Sequence, residues 1–298
     1  MPPTRRAFLV AAGASFAELG RPNRSAGSPP APPATLFPYA VNVEMFWSGL
    51  PFLDRLRKVK ESGFTHYEFW PWRNKDIDAI LRANTALGLV PVQFTASPKS
   101  FDRGITDPQR KDEFVEDVRA AVAVAKRLGV KKLCVVAGEE TEGLTRDEQT
   151  EAVITALKAA VPIVEPEDIT LILEPLNVLV DHPKQLVVKS EHAAQILQAV
   201  GSPHVKMLFD IYHQQVSEGN LSGNIRRYRD LIGYYQLADH PGRYQPGTGE
   251  IRYAYVLRTI HEVGYRGAIG LEMRPKGSEA EALEAVRRVD AEARALTL

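Results

Sequence analysis

Four oxygen-bearing side chains stand at the ends of four apolar runs in the second half of this sequence. "LILEPLN" ends its hydrophobic run in Glu174, and "VKMLFDIYHQQ" breaks its run with Asp210. "IGYYQLADHPGR" carries Gln236 and "GAIGLEMRP" carries Glu272. The intervals are 36, 26 and 36 residues, each about one strand–helix unit long. A carboxylate at the inner end of a buried strand is costly unless a cation or hydrogen bonds offset it. Taken singly, each acid could cap the next helix or pair with an arginine. Three brought to one place would repel strongly at low dielectric, and a divalent cation is the simplest offset. All four donors are oxygen, with no Cys or His among them, so Mg2+ or Mn2+ fits better than Zn2+.

Strand ends can meet only if the strands share a sheet. From Pro38 onward, short apolar runs alternate with longer amphipathic stretches, the pattern of βα units and a parallel sheet. Eight strand candidates follow in order: "YAVNVEMF", "HYEFW", "LVPVQFTA", "KLCVVAG", "TLILEPL", "VKMLFDIY", "GYYQLAD" and "AIGLEM". Between them lie helical patterns such as "PFLDRLRKVKESG", with Leu53, Leu56 and Val59 on one face, and "KDIDAILRANTALG", stopping at Gly88. "TRDEQTEAVITALKAA" opens on a Thr145 cap, and "SEHAAQILQAVG" and "SEAEALEAVRRVDAEARAL" follow the same template. Eight such pairs in about 260 residues predict an α/β fold, a single (β/α)8 barrel over residues 37–298. A doubly wound open sheet would more often carry a glycine-rich phosphate turn after its first strand, and "NVEMFWSG" has none. In a barrel the four polar strand ends converge on the C-terminal rim, where active sites of this fold sit.

The bulk of the chain excludes several partners. Lys plus Arg and Asp plus Glu both number 37 in 298 residues, so no net field draws nucleic acid or a membrane surface. No run approaches the apolar length of a spanning helix. The single cysteine, Cys134 in "KKLCVVAG", allows no intrachain disulfide and reads as inert core packing. The N-terminus differs in kind. "TRRAFLVAAGASFA" sets Arg5 and Arg6 before a weakly apolar stretch, and "RPNRSAGSPPAPPAT" is rich in Pro and Ser. Residues 1–36 therefore read as a twin-arginine export signal and disordered linker, predicting a periplasmic protein. The alternative is a basic tail on a cytoplasmic one.

The motifs "PFLDRL", "EFW", "EPLN", "FDIYHQQ", "GNL", "YYQLADHPGRYQPGTGEIRY" and "GLEMRPKG" resemble the xylose isomerase-like barrels, and most closely the hydroxypyruvate isomerase family. The likeness runs from about residue 38 to the end. It implies a metal-dependent aldose–ketose isomerase, converting hydroxypyruvate to tartronate semialdehyde or acting on a related small sugar acid. It also implies Glu174, Asp210, Gln236 and Glu272 as metal ligands, with Glu174 and Glu272 doubling as the proton-transfer pair. Related ketose 3-epimerases usually have His where Gln236 stands, which favours the isomerase branch. The family often forms dimers or larger assemblies, so a homo-oligomer is compatible with the resemblance. Members are expected in the cytoplasm, so the leader is a departure.

Several neighbours are candidates for the pocket. His213 follows Asp210 by three residues and could hydrogen-bond a substrate oxygen. Arg243 could clamp a carboxylate. Glu68 ends the second strand, and Trp47, Trp70 and Trp72 flank the first two strand ends; Glu68 and Trp70 count with His213 and Arg243 as substrate-binding candidates. "PGTGE" at 246–250 has the composition of a mobile lid. His182 and His192 receive no role. The rival functions are a 3-epimerase or sugar dehydratase on the same scaffold, and an exported sugar-binding protein without turnover. An endonuclease IV-like reading wants several zinc ions, many histidines and a basic face, and the chain lacks these.

Overall fold

A computed structural model describes residues 35–97 and 104–297; the predicted export signal lies outside the described residues. The strands are β1 (Tyr39–Asn42), β2 (His66–Glu68), β3 (Val90–Pro91), β4 (Gln93–Thr95), β5 (Lys132–Val136), β6 (Thr170–Glu174), β7 (Val205–Asp210), β8 (Ile232–Gln236) and β9 (Ile269–Leu271). All their pairings are parallel, in the order β3-β2-β1-β9-β8-β7-β6-β5-β4. The two ends of that order, β3 and β4, are halves of one stave interrupted at Val92. Hydrogen bonds from Phe69 N to Gln93 O (3.4 Å) and from Thr95 N to Trp70 O (3.2 Å) carry β2 past the break. The predicted eight-stave ring is therefore present, with its third stave split. Proline explains the split: Val90 N and Val92 N both donate toward β2, so alternation turns residue 91 toward β5, where Pro91 has no N–H to give.

Nine α-helices among the described residues wrap the ring: α1 (Phe52–Glu61), α2 (Ile77–Leu87), α3 (Lys111–Leu128), α4 (Arg146–Val164), α5 (Ser190–Val200), α6 (Ile211–Ser217), α7 (Leu221–Tyr228), α8 (Tyr253–Glu262) and α9 (Glu279–Ala295). Their ends carry local signals. Asp76 accepts from Ala79 N at the start of α2, and Thr145–Glu148 and Ser278–Glu281 form reciprocal capping boxes on α4 and α9. Helices α2, α3 and α5 stop at Gly88, Gly129 and Gly201, each in the left-handed region.

Two apolar clusters reveal how the strands face. Leu133, Val135, Leu171, Leu173, Phe209, Tyr235 and Ile269 belong to the cluster between ring and helices. Ala40, Cys134, Ile172, Leu208, Tyr234 and Ala268 form a second one inside the ring. The two sets alternate along each strand, because successive side chains point to opposite faces. Counting by two from the inner set leads from Ile172 to Glu174, from Leu208 to Asp210, from Tyr234 to Gln236, and from Ala268 through Gly270 to Glu272. Parity alone turns all four toward the barrel axis.

The last helix is tied to the first strand. Asp290, fully buried on α9, accepts from Leu36 N (2.9 Å) and Tyr39 Oη (2.8 Å) and meets Arg294 Nε at 3.2 Å. Asp290→Ala strands the Tyr39 hydroxyl and the Leu36 amide. We expect it to destabilise the barrel by about 2–3 kcal/mol, read as a lower urea midpoint with unchanged slope.

Candidate active site

The C-terminal rim surrounds a cavity of about 240 Å³, and Glu174, Gln236, Glu272, His213, Arg243 and Trp70 are among its lining residues. Glu174, Asp210, His213 and Glu272 each offer a ligand atom, all within 4.8 Å of one another, and all four are buried. Gln236 joins them at the cavity wall, since Asp210 is its register partner on the neighbouring strand. Asp210 ends β7 and caps α6, accepting from Tyr212 N at 2.9 Å.

Burial dominates the electrostatics. It pushes the Glu174 carboxyl well above its ordinary range, with Glu272 and Asp210 adding to the rise. It takes Asp210 up to about 8, with Arg243 pulling back and Glu272 pushing further. Among the carboxylates lies one guanidinium: Arg243 Nη2 donates to Glu272 Oε2 (2.6 Å) and Asp210 Oδ2 (3.2 Å). Burial alone would lower its proton affinity, but Glu272, Asp210 and Glu174 outweigh that, and Arg243 stays charged. Its backbone is left-handed, with φ of 58°, a conformation unusual for a non-glycine residue. Hydrogen bonds from Asp239 N to Tyr244 O (2.7 Å) and from Arg274 N to Arg243 O (2.8 Å) hold it there.

Two observations decide which groups suit a cation. Gln236 Nε2 donates to Glu68 Oε1 at 2.8 Å, while its Oε1 is buried with no donor. An orphaned amide oxygen beside three carboxylates is what a hard ion would use. His213 is different. Its Nδ1 receives Asn177 Nδ2 at 2.7 Å and Asn177 N at 3.3 Å. The Asn177 amide orientation follows from its Oδ1, which accepts from Val180 N and Asp181 N. Burial, helped by Arg243 and His182, holds the imidazole well below its usual range, so it is neutral. Its one proton then sits on Nε2, 3.6 Å from Asp210 Oδ2 and 3.9 Å from Glu174 Oε1. That nitrogen is a donor rather than a lone pair for a metal. The residues that fit an ion are the four oxygen donors Glu174, Asp210, Gln236 and Glu272.

The other candidates separate. Trp70 Nε1 donates to Glu272 Oε1 at 2.8 Å and lines the cavity. Trp72 is buried against Phe94, and Trp47 packs on Phe46, so neither belongs to the lining. Glu68, read from sequence as a substrate-binding residue, is corrected. It is fully buried beneath the cavity, and four side-chain donors take up its two oxygens. Burial, then Glu272, lifts its carboxyl to about 7. The close packing there needs Gly270, whose Cβ would overlap Glu68 and fall 2.8 Å from Gln236 Cγ. Segment 246–250, expected as a mobile lid, is clamped: Gly247 N, Gly249 N and Ile251 N all donate to Asp239, at 2.8, 2.9 and 3.1 Å.

Sequence reading missed four of the lining residues. His182 lines the cavity with its ring 5.4 Å from His213, placed by a loop with no periodic signal. Gln93 and Thr95 line it from the half-stave after Pro91; parity along "VQFTA" was their only trace. Cys134, read from sequence as core packing, faces inward, lines the cavity and donates to Glu174 at 3.5 Å, with burial and the nearby carboxylates raising its proton affinity.

Known proteins show the same architecture. A profile for xylose isomerase-like TIM barrels matches residues 56–292. The hydroxypyruvate isomerase of Escherichia coli is 31% identical over 242 residues, 80% of this chain and 93% of that protein. The 2-oxo-tetronate isomerase of Pectobacterium atrosepticum is 29% identical, over 82% and 95% of the two chains. A crystal structure from Brucella melitensis, described as an AP endonuclease of family 2, superposes with a TM-score of 0.80 at 31% identity, covering 84% of this chain and 98% of that one. Profile, relatives and barrel agree: this chain belongs to the xylose isomerase-like TIM-barrel superfamily and, within it, to the hydroxypyruvate isomerase family.

Proposed function

We propose that this protein is a divalent-cation-dependent aldose–ketose isomerase acting on hydroxypyruvate or a related small sugar acid. The observation that carries the reading is the meeting of Glu174, Asp210 and Glu272 within 4.8 Å, beside the bare Gln236 Oε1. Relatives named as isomerases of hydroxypyruvate and 2-oxo-tetronate support the substrate class. A cavity of about 240 Å³ suits a molecule of a few carbons.

Isomerisation moves a proton between adjacent carbons and another between their oxygens. A bound Mg2+ or Mn2+ would supply the positive charge that makes the C–H beside a carbonyl acidic. The chain supplies the rest. Glu174 and Glu272 are the two carboxylates placed to take the carbon proton and return it at the neighbouring carbon. Trp70, through its bond to Glu272 Oε1, holds that carboxylate in one rotamer. The His213 Nε2–H is a donor for a substrate oxygen. Arg243, bound to Glu272 and Asp210, is the cationic group available to a substrate carboxylate once those acids engage an ion. The Arg5–Arg6 leader would carry this activity to the periplasm.

The test is metal-reconstituted protein incubated in heavy water with hydroxypyruvate and, separately, with tetroses, pentoses and hexoses, and followed by NMR. Isomerisation yields tartronate semialdehyde with solvent deuterium on carbon. A binding protein gives no label, a dehydratase gives loss of water, and inversion of a ketose without an aldehyde product marks an epimerase. Any of those three outcomes overturns the proposal.

A further inference from the structure

Two glutamines in the barrel floor share one carboxylate. Gln93 Nε2 donates to Glu68 Oε2 at 3.1 Å, and Gln236 Nε2 donates to Glu68 Oε1 at 2.8 Å. Asn42 Nδ2 (3.0 Å) and Tyr234 Oη (2.7 Å) complete the set. Four side-chain donors surround Glu68. Its ionised form only accepts, and its neutral form has a single O–H that the Tyr234 hydroxyl can take, so in either form both glutamines can present their nitrogens to it. Each amide oxygen is thereby turned away from it. Both side chains are 1% exposed, both line the cavity, and both Oε1 atoms are buried without a donor. Buried acceptors rarely stay unpaired in a working protein, because desolvation goes uncompensated.

The Gln236 oxygen has a use in the proposed ion site. Gln93 is not among the four oxygen donors proposed for the ion; it comes from β4, three staves round the ring from β7 and four from β8. An acceptor-only atom in the floor of a small polar cavity calls for a hydroxyl donor. We propose that Gln93 Oε1 accepts a hydrogen bond from a substrate hydroxyl, and that Glu68 sets the amide orientation that makes this acceptor available. This rests on the isomerase reading and names what the site selects: a hydroxyl next to the carbonyl, as in a 3-hydroxy-2-oxo acid, against its deoxy analogue.

Hydroxypyruvate and pyruvate differ by that one hydroxyl. The experiment compares KM and kcat for hydroxypyruvate with the inhibition constant of pyruvate, in Mn2+-reconstituted wild type and Gln93→Met. Binding of Mn2+ alone is measured by calorimetry. The expected result is a KM about tenfold or more higher in Gln93→Met, with pyruvate inhibition within about twofold and Mn2+ affinity within about threefold of wild type. Gln93→Asn keeps an amide but draws its oxygen back by one methylene; it should lose the same discrimination, and it stands in if the methionine variant does not fold. Equal weakening toward hydroxypyruvate and pyruvate, or no change toward either, overturns the role of Gln93 while leaving the isomerase reading intact. Failure of the wild type to turn over hydroxypyruvate at all removes that reading and this inference together.

Discussion

Glu174→Gln and Glu272→Gln are each expected to lower turnover of hydroxypyruvate, the proposed substrate, by about 10³-fold or more, with neither variant exchanging substrate protons with solvent at a rate near wild type. General base catalysis contributes about 10²–10⁴-fold. The charge lost from a cation-binding set adds to that, so a loss near 10³, or about 4 kcal/mol of barrier, is conservative. Glutamine keeps a carbonyl oxygen and nearly the same volume, so packing around the floor survives. Each variant separates two effects when Mn2+ affinity is measured beside turnover. A carboxylate acting only as a ligand loses activity in proportion to bound metal, and saturating Mn2+ restores it. A carboxylate that also moves the proton stays slow at saturating Mn2+. The pair is singled out because both line the cavity, whereas Asp210 is fully buried and committed to Tyr212 N and Arg243. Turnover within tenfold of wild type in both variants would remove them from the mechanism.

The second expected result concerns pH. Metal-free protein loses stability as pH rises from about 7 to 8, where the raised carboxyls titrate and the histidines are already neutral, and Mn2+ reverses the trend. Asp210 titrates at about 8 in the folded chain against 3.8 as an ordinary aspartate, mainly because it is buried. Glu68 is raised from 4.5 to about 7 by burial and by Glu272. Glu174 is displaced in the same direction by burial, Glu272 and Asp210. These carboxyls make the folded state bind more protons than the unfolded one up to about pH 8. His213, His66, His182, His192 and His261, all lowered mainly by burial, oppose them until they are neutral in both states, so the carboxyls govern the window from about pH 7 to 8. Stability then falls with increasing pH across that window; the contribution is complete below the unfolded values and gone above the folded ones. A divalent ion favours the ionised carboxylates, so it binds more tightly at high pH and expels protons as it does so. At a hundredfold excess over its dissociation constant it adds about 2.7 kcal/mol of stability. Thermal melts of metal-stripped protein from about pH 5 to 8, with and without Mn2+, read both effects. Calorimetry in buffers of different ionisation enthalpy counts the released protons. A melting temperature that climbs with pH above about 7 in the metal-free state, or an Mn2+ shift independent of pH, contradicts this account.

Local chemistry made much of the barrel legible. Short apolar runs in "TLILEPL" and "GYYQLAD", each ending on a polar residue, mark strands buried on both faces of a parallel sheet. Thr145 with Glu148 and Ser278 with Glu281 announce helix starts, and Gly88, Gly129 and Gly201 announce ends. Other features had no local signal. The split third stave follows from Pro91, but "LVPVQFTA" reads as one strand until it is known which neighbour each N–H must face. The lid expected at 246–250 failed because its glycines serve close approach: a Cβ on Gly249 would overlap His240 O, and the Asp239 carboxylate gathers the loop's amides. Composition cannot distinguish a glycine that permits motion from one that permits contact.

What the sequence determined by itself is which polar residues end which strands, and hence that oxygen-bearing side chains stand where a closed barrel gathers its strand ends. The tertiary structure decided which polar strand ends reach the cavity. Glu68 shares its inward parity with Gln236 yet lies under the floor with its oxygens consumed, and Trp70 touches Glu272 where Trp47 and Trp72 do not. Side-chain direction is a property of two or three adjacent residues, so it is written locally. Depth along the barrel axis, and the hydrogen bonds that turn an amide or an imidazole, depend on staves far apart in the chain and exist only once the ring has closed.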